Sequence, residues 1–179
     1  MQVVSGPVRS VLAEAQRIGA IGPGELDRSI AHATQFLAGI PEGPQRVVDL
    51  GSGGGVPGLV IADLRRDCHL VLVDRRRGRC DQLTRAIRRL AWDERVEVWC
   101  ADVDTMRTTH AGAFDVATSR GFGPARSTLH LALACVRNGG TVVISEPPED
   151  RHDRWPDPLP DRVRSAERHG GVRVFHVKP

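Results

Sequence analysis

The sequence predicts a doubly wound α/β fold with a mostly parallel sheet, on three observations. From residue 46 onward, short apolar runs rich in Val, Ile and Leu alternate with longer segments of helical period, the pattern of a parallel sheet covered on both faces. A glycine-rich loop, GSGGGVPG at 51–58, separates the first such strand from the first such helix, and open parallel sheets hold ligands beyond the carboxyl ends of their strands. Asp49, Asp74 and Asp102 stand at or just past the ends of three successive strands.

Taken in order, PVRSVLAEAQRIGA places Val8, Val11, Leu12, Ala15 and Ile18 at helical spacing, and ELDRSIAHATQFLAGI does the same with Leu26, Ile30, Ala33 and Leu37. Gly22, Pro23 and Gly24 separate the two, and the turn-rich PEGPQ at 41–45 leads into strand 46–50. Helix 57–66 follows the glycine loop, then strand 69–74, helix 78–91, strands 95–100 and 114–119, helix 124–137 and strand 140–146. Segment 146–160 holds five prolines in fifteen residues, which predicts an extended loop, and GVRVFHV at 171–177 supplies a closing edge strand. A chain of 179 residues fits one domain. Within it, 1–40 form an N-terminal helical segment, 46–146 the cofactor-binding core, and 147–179 the loop and closing strand.

Charge and cysteine usage narrow the reading. The net charge of +3 gives no global attraction to nucleic acid, but eight arginines against three acids lie between positions 75 and 95. Of these, Arg79, Arg85, Arg88 and Arg89 are candidate phosphate contacts, the last three within about one helical turn. Lys178 is the only lysine, so a coding bias towards arginine is the simpler source of the cluster. Cys68, Cys80, Cys100 and Cys135 form no C-x-x-C pair and lie in or beside apolar runs, which predicts reduced core thiols in a cytoplasmic protein and no metal site. The N-terminal sequence lacks a leader pattern, and no window approaches 18 uninterrupted apolar residues. Secretion and membrane spanning are both disfavoured.

Glycine lets the backbone N–H groups of the loop approach a ligand closely, and Pro57 suits the first helical position, so a helix N-terminus aims at the same place. An anionic ligand group is expected there. Gly53, Gly55 and Gly58 also satisfy G-x-G-x-x-G, with Asp74 about twenty residues on, as in dinucleotide sites. Against a dinucleotide, Asp49 repels a diphosphate and attracts an ammonium, and Pro57 falls inside the pattern. S-adenosyl-L-methionine carries both a carboxylate and an ammonium at its methionyl end, so Asp49 and the loop backbone together suit it. Asp74 can accept both ribose hydroxyls, and Asp102 can accept from the adenine amino group or cap its pocket. The simpler alternative for each acid is a helix or turn cap.

VVDLGSGGGVPGLVIA, LVLVDRRRGRCDQL and FDVATSRGFGPARSTLHLALACVRNGGTVV resemble the bacterial RsmG or GidB family of small-subunit ribosomal RNA guanine-N7 methyltransferases. The family pattern is D-x-G-S-G-x-G-x-P-G, then V-D-S with K-R, then a [ST]-R-A segment, and its proline makes it more specific than a general methyltransferase glycine loop. The resemblance covers about residues 46–146 and, more weakly, IAHATQFL. It implies a class I S-adenosylmethionine-dependent methyltransferase of Rossmann-like fold. Gly51, Ser52, Gly53, Gly55, Pro57 and Asp74 then bind the cofactor, and Arg120 is the active-site arginine. The chain departs from the pattern at Gly78 and Arg79, where the family has K-R, and at Asp102 and Asp104, where it has R-x-E. Gln35 and Phe36 replace the Asp-Ser that follows the family histidine, so His32 reads as structural rather than catalytic. The region ahead of the loop is shorter than the family's and lacks its N-L-[TS] stretch, and SEPPED replaces a lysine-bearing segment.

Nitrogen 7 of guanine holds an unprotonated lone pair, so its attack on a sulphonium methyl requires no general base. Alignment and exclusion of water are what the protein must supply, and orientation alone contributes up to about 7–11 kcal/mol. An arginine forked onto O6 and nitrogen 7 would block the nucleophile, so Arg120 is expected on a phosphate, on O6 alone, or positioning the cofactor pocket, the simpler alternative being a strand-end arginine that bonds a carbonyl or a neighbouring acid. Phe122 is a candidate for stacking on an extruded base, the alternative being a core ring in a glycine turn. The partner implied is ribosomal RNA or the small ribosomal subunit. Two further readings stay open: a small-molecule methyltransferase on the same core, favoured by the short N-terminal region and the acidic loop, and a nonenzymatic S-adenosylmethionine binding module. Oligomeric state is not legible in the sequence.

Overall fold

Along the central strands, side chains alternate between two apolar layers, as a two-residue period requires. Val47 of β1 (Arg46–Leu50) and Leu70 and Leu72 of β2 (His69–Asp74) enter one layer, whereas Val48, Leu50, Val71 and Val73 enter the other. The first layer is closed by α1 (Gly6–Arg17), α2 (Leu26–Thr34), α3 (Gly58–Leu64) and α4 (Arg77–Leu90); the second by α5 (Val103–Thr109) and α6 (Ala125–Cys135). These relations come from a computed structural model in which residues 3–147 and 154–179 are described.

The remaining strands are β3 (Val96–Cys100), β4 (Phe114–Ser119), β5 (Val136–Ser145), β6 (Val163–His169) and β7 (Val172–Val177). They assemble in the order β3-β2-β1-β4-β5-β7-β6. β1 to β5 run parallel, β7 is antiparallel to β5, and β6 is antiparallel to β7. Strand order reverses between β1 and β4, so their carboxyl ends open the crevice in which such folds bind ligands. This is a doubly wound, Rossmann-like, mostly parallel sheet, as predicted.

Four expectations need correction. The closing strand at 171–177 is not the edge: β7 lies between β5 and β6, and β6 is the outer strand. β6 escapes the apolar pattern because of its residues only Val163 is buried, as suits a strand with one face and one edge in water. Helix α5 was not anticipated, since only Val103 and Met106 of its seven residues reach the core. Cys100 is exposed at the end of the outer strand β3, unlike the buried Cys68, Cys80 and Cys135. Pro57 caps α3 from the position just before its first residue rather than opening the helix itself. Of the proline-rich segment 146–160, residues 148–153 lie outside the described residues, and 156–160 have no regular structure.

Candidate functional site

Register places the first acid. Asp49 of β1 stands opposite Thr118 of β4, and the Thr118 hydroxyl donates to Asp49 Oδ1 at 2.8 Å. The Asp49 side chain is buried, and its Oδ2 has no hydrogen-bond partner. Burial raises its pKa to about 6, opposed in part by the Thr118 and Ser52 hydroxyls and the Gly58 backbone. The Gly58 amide acts as a nearby dipole, since it does not reach Oδ2 in hydrogen-bond geometry.

The glycine loop is tied to the neighbouring strand. Gly51 N–H and Ser52 N–H both donate to the Val73 carbonyl at 2.9 Å, Gly53 N–H donates to Asp74 Oδ2 at 3.0 Å, and Gly55 N–H donates to the Ser52 carbonyl at 2.8 Å. The expected row of bare amides is therefore largely turned inward. Glycine is required for other reasons. Gly51 has φ of +75°, a region closed to most side chains, and a Cβ on it would lie 2.5 Å from the Phe122 ring. Gly54 passes so close beneath the α1–α2 connection that a Cβ would lie 2.5 Å from Ile21 Cγ1.

Beyond the loop lies a cleft of about 760 Å³ whose walls include Gly53, Asp74, Arg79, Asp102, Arg120 and Phe122. Its volume falls within the range of about 300–1,000 Å³ usual for small-ligand sites. Asp74 ends β2 and is held in place by Gly53 N–H on Oδ2 and Arg76 N–H on Oδ1 at 2.9 Å. A carboxylate has about four acceptor sites, so half of this capacity remains. Asp102 caps α5 by accepting from Asp104 N–H at 3.0 Å, the simpler of the alternatives for it, and it also lines the cleft. Asp49, Gly55 and Pro57 lie behind the wall rather than in it; Gly51 and Ser52 are part of it.

Arg120, just past β4, is half-buried in the cleft wall and donates to Ser29 Oγ of α2 at 3.4 Å. Desolvation lowers its pKa, while the Asp49 charge favours its protonated form. In the protein alone, then, the cation that Asp49 attracts is Arg120. Phe122 is 37% exposed and lies against Gly51, which makes it a cleft wall and not a core ring.

The arginine cluster divides. Arg79 donates to the Gly19 carbonyl at 2.8 Å and joins the cleft wall. Arg89 reaches back to α1, pairing with Glu14 at 3.1 Å and Ser10 Oγ at 3.3 Å, so it braces two helices. Arg85 and Arg88 remain exposed on a separate groove beside β3. His32 bonds the Gly171 carbonyl through Nε2 at 2.9 Å, and burial lowers its pKa; it is not a wall of the cleft. Thr118, Ser29 and the Ala20–Ile21 turn were not anticipated, because only the strand order and the return of the N-terminal segment bring them to the site.

With that geometry in view, residues 22–150 match the GidB family, described as rRNA small subunit methyltransferase G. The chain belongs to the GidB family. Among relatives, a Ribosomal RNA small subunit methyltransferase G of Mycobacterium sp. (strain KMS) is 31% identical over 129 residues, covering 70% of this chain and 56% of that one. Its namesake from Salinispora arenicola is 34% identical over 133 residues, covering 70% and 54%. This GidB chain thus spans about half the length of the curated relatives it matches. In structure it is similar to the cofactor-bound protein Rv0187 from MTB, with a TM-score of 0.68 at 15% identity over 97% of this chain and 90% of that one. Among the described residues of this GidB member, no helix is long and apolar enough to cross a membrane.

Proposed function

We propose that this protein is an S-adenosylmethionine-dependent methyltransferase acting on nitrogen 7 of a guanine in small-subunit ribosomal RNA. The observation that carries the cofactor reading is the spent glycine loop beside a partly spent Asp74. A diphosphate needs several converging amides, and those of Gly51, Ser52, Gly53 and Gly55 are already bonded within the protein. A nucleoside needs instead an acceptor for its ribose hydroxyls, and Asp74 retains that capacity at the cleft wall. Membership of the GidB family supports the RNA substrate.

When bound, the cofactor would supply an electrophilic methyl on sulphonium to the guanine lone pair. The residues of this chain bind and orient. Asp74 would hold the sugar, and Asp102, on the same cleft wall, would border the pocket beyond it. Asp49, negative above about pH 6, gives the floor a potential that favours a cationic ligand. Arg120 is a positioning residue, fixed between α2 and β4, and Phe122 offers a face on which a base can stack. No group has to remove a proton.

Calorimetric titration of S-adenosylmethionine and NAD into the wild type and Asp74→Ala tests the cofactor. The variant should weaken S-adenosylmethionine by about 2–5 kcal/mol, the scale for truncating one partner of a buried charge-assisted contact. NAD binding in preference to S-adenosylmethionine would overturn the proposal. Tritiated methyl transfer to small subunits from a strain lacking the gene, to bare ribosomal RNA and to a metabolite panel then identifies the acceptor.

A further inference from the structure

Two thiols meet just outside the cleft. Cys80, in the first turn of α4, is buried and donates from Sγ to the Asp74 carbonyl at 3.2 Å. Cys100, the last residue of β3, is opposite Asp74 in the β2–β3 register and is exposed. The two converge on one acceptor, because the Asp74 carbonyl that takes the Cys80 thiol also takes the N–H of Ala101, the residue after Cys100, at 3.1 Å, and both cysteines line a groove of about 410 Å³ together with Arg77, Arg85 and Arg88. An apolar core explains Cys80 alone; it does not explain an exposed cysteine beside it.

We propose that Cys80 and Cys100 form a redox-modification site, in which a hydroperoxide converts the dithiol to a disulfide that loosens the cofactor cleft through Asp74. The consequence for the cofactor rests on the methyltransferase reading; the disulfide itself does not. The exposed sulphur of Cys100 attacks a peroxide oxygen, the O–O bond breaks, and an alcohol or water leaves with the thiol proton. Cys100 becomes a sulfenic acid, S–OH. Cys80 sulphur then displaces the hydroxyl, which departs as water with the Cys80 proton, and the S–S bond forms. Overall the two thiols lose two electrons and two protons to the peroxide. An accessible cysteine that meets the oxidant beside a sheltered one that resolves it is the arrangement this sequence requires.

Cys80 cannot keep its hydrogen bond to the Asp74 carbonyl once its proton is gone. The strain falls on the residue whose carboxylate anchors Gly53 and Arg76, and on Arg79, which adjoins Cys80 and forms part of the cleft wall. Borne by the binding-competent arrangement of Asp74, the cost of one lost neutral hydrogen bond amounts to about a three- to ten-fold loss of affinity.

The intact protein is treated with hydrogen peroxide, and its peptides are mapped without reduction. S-adenosylmethionine affinity is measured by calorimetry before treatment, after it, and after dithiothreitol. A Cys80–Cys100 cross-link with about three- to ten-fold weaker binding, both reversed by the thiol and both absent in Cys100→Ser, supports the proposal. In Cys80→Ala, dimedone should trap a sulfenic acid on Cys100. Oxidation of Cys100 to sulfinic acid without a cross-link, or a cross-link that leaves affinity unchanged, overturns it. A reduced protein that does not bind S-adenosylmethionine defeats the cofactor reading instead, and the peptide map still decides whether the pair closes.

Discussion

Replacing Asp49 with asparagine should stabilise the protein increasingly, relative to wild type, as pH rises from about 4.5 to 7.5. In the fold its pKa is raised from 3.8 to about 6 by burial, so the native state holds the proton more tightly than the unfolded chain. Below the unfolded value both states are protonated and the burial carries no ionisation penalty. As pH climbs through the window from 3.8 to about 6, the unfolded chain ionises first and native stability falls. At about 1.4 kcal/mol per pKa unit the penalty reaches about 3 kcal/mol at neutral pH, against about 1 kcal/mol near pH 4.5. Asparagine has no such dependence. Its amide would face the site of the unpartnered Oδ2 and carries a constant cost of about 1–3 kcal/mol, which cancels when the two pH values are compared. Urea unfolding of both proteins at the two pH values should therefore show the difference between them growing by about 2 kcal/mol in favour of the variant. Parallel pH profiles would refute the claim that this carboxylate is held ionised against its burial. The same substitution should weaken S-adenosylmethionine binding at neutral pH, so the residue gives up stability where the site needs charge.

Gly51→Ala should destabilise the protein by about 2 kcal/mol, from a strained backbone together with a collision against Phe122; adding Phe122→Ala should restore the collision part and leave the backbone part, measured by a double-mutant cycle in urea. Arg85→Glu with Arg88→Glu should weaken binding to small-subunit RNA and flatten its salt dependence, whereas Arg89→Ala should cost about 0–1 kcal/mol of stability and leave the salt slope unchanged. Equal effects from the two replacements would sink the division of the arginines. Arg120→Lys keeps the charge that Asp49 attracts but loses the planar fork, so methyl-transfer kcat should fall more than cofactor affinity does; a loss confined to affinity would reassign it to cofactor binding.

Much of the sheet was legible because buried parallel strands leave a strong mark. The apolar runs at 46–50, 69–74 and 114–119 coincide with β1, β2 and β4. Legibility failed where burial thins out. α5 shows the core two side chains, and β6 turns most of its residues to water, so neither carries a clear period. At the site, strand-end position was enough to bring Asp74 and Asp102 to the cleft wall. What the sequence could not reveal was hydrogen-bond allegiance. Glycines announce close backbone approach without saying to what, and in this loop the partners are Val73, Asp74 and the loop itself. Nor could arginine spacing on α4 distinguish Arg89, captured by α1, from Arg85 and Arg88, four and one positions before it.

One oxygen atom, the Val73 carbonyl, receives both Gly51 N–H and Ser52 N–H. The turn leaving β1 is thus anchored to a strand it does not belong to, and it inherits the stiffness of the sheet's interior. A loop already frozen in its working shape surrenders little disorder when a guest arrives. Amide hydrogen exchange at 51–53 should consequently be slow before any ligand is added, and change little afterwards.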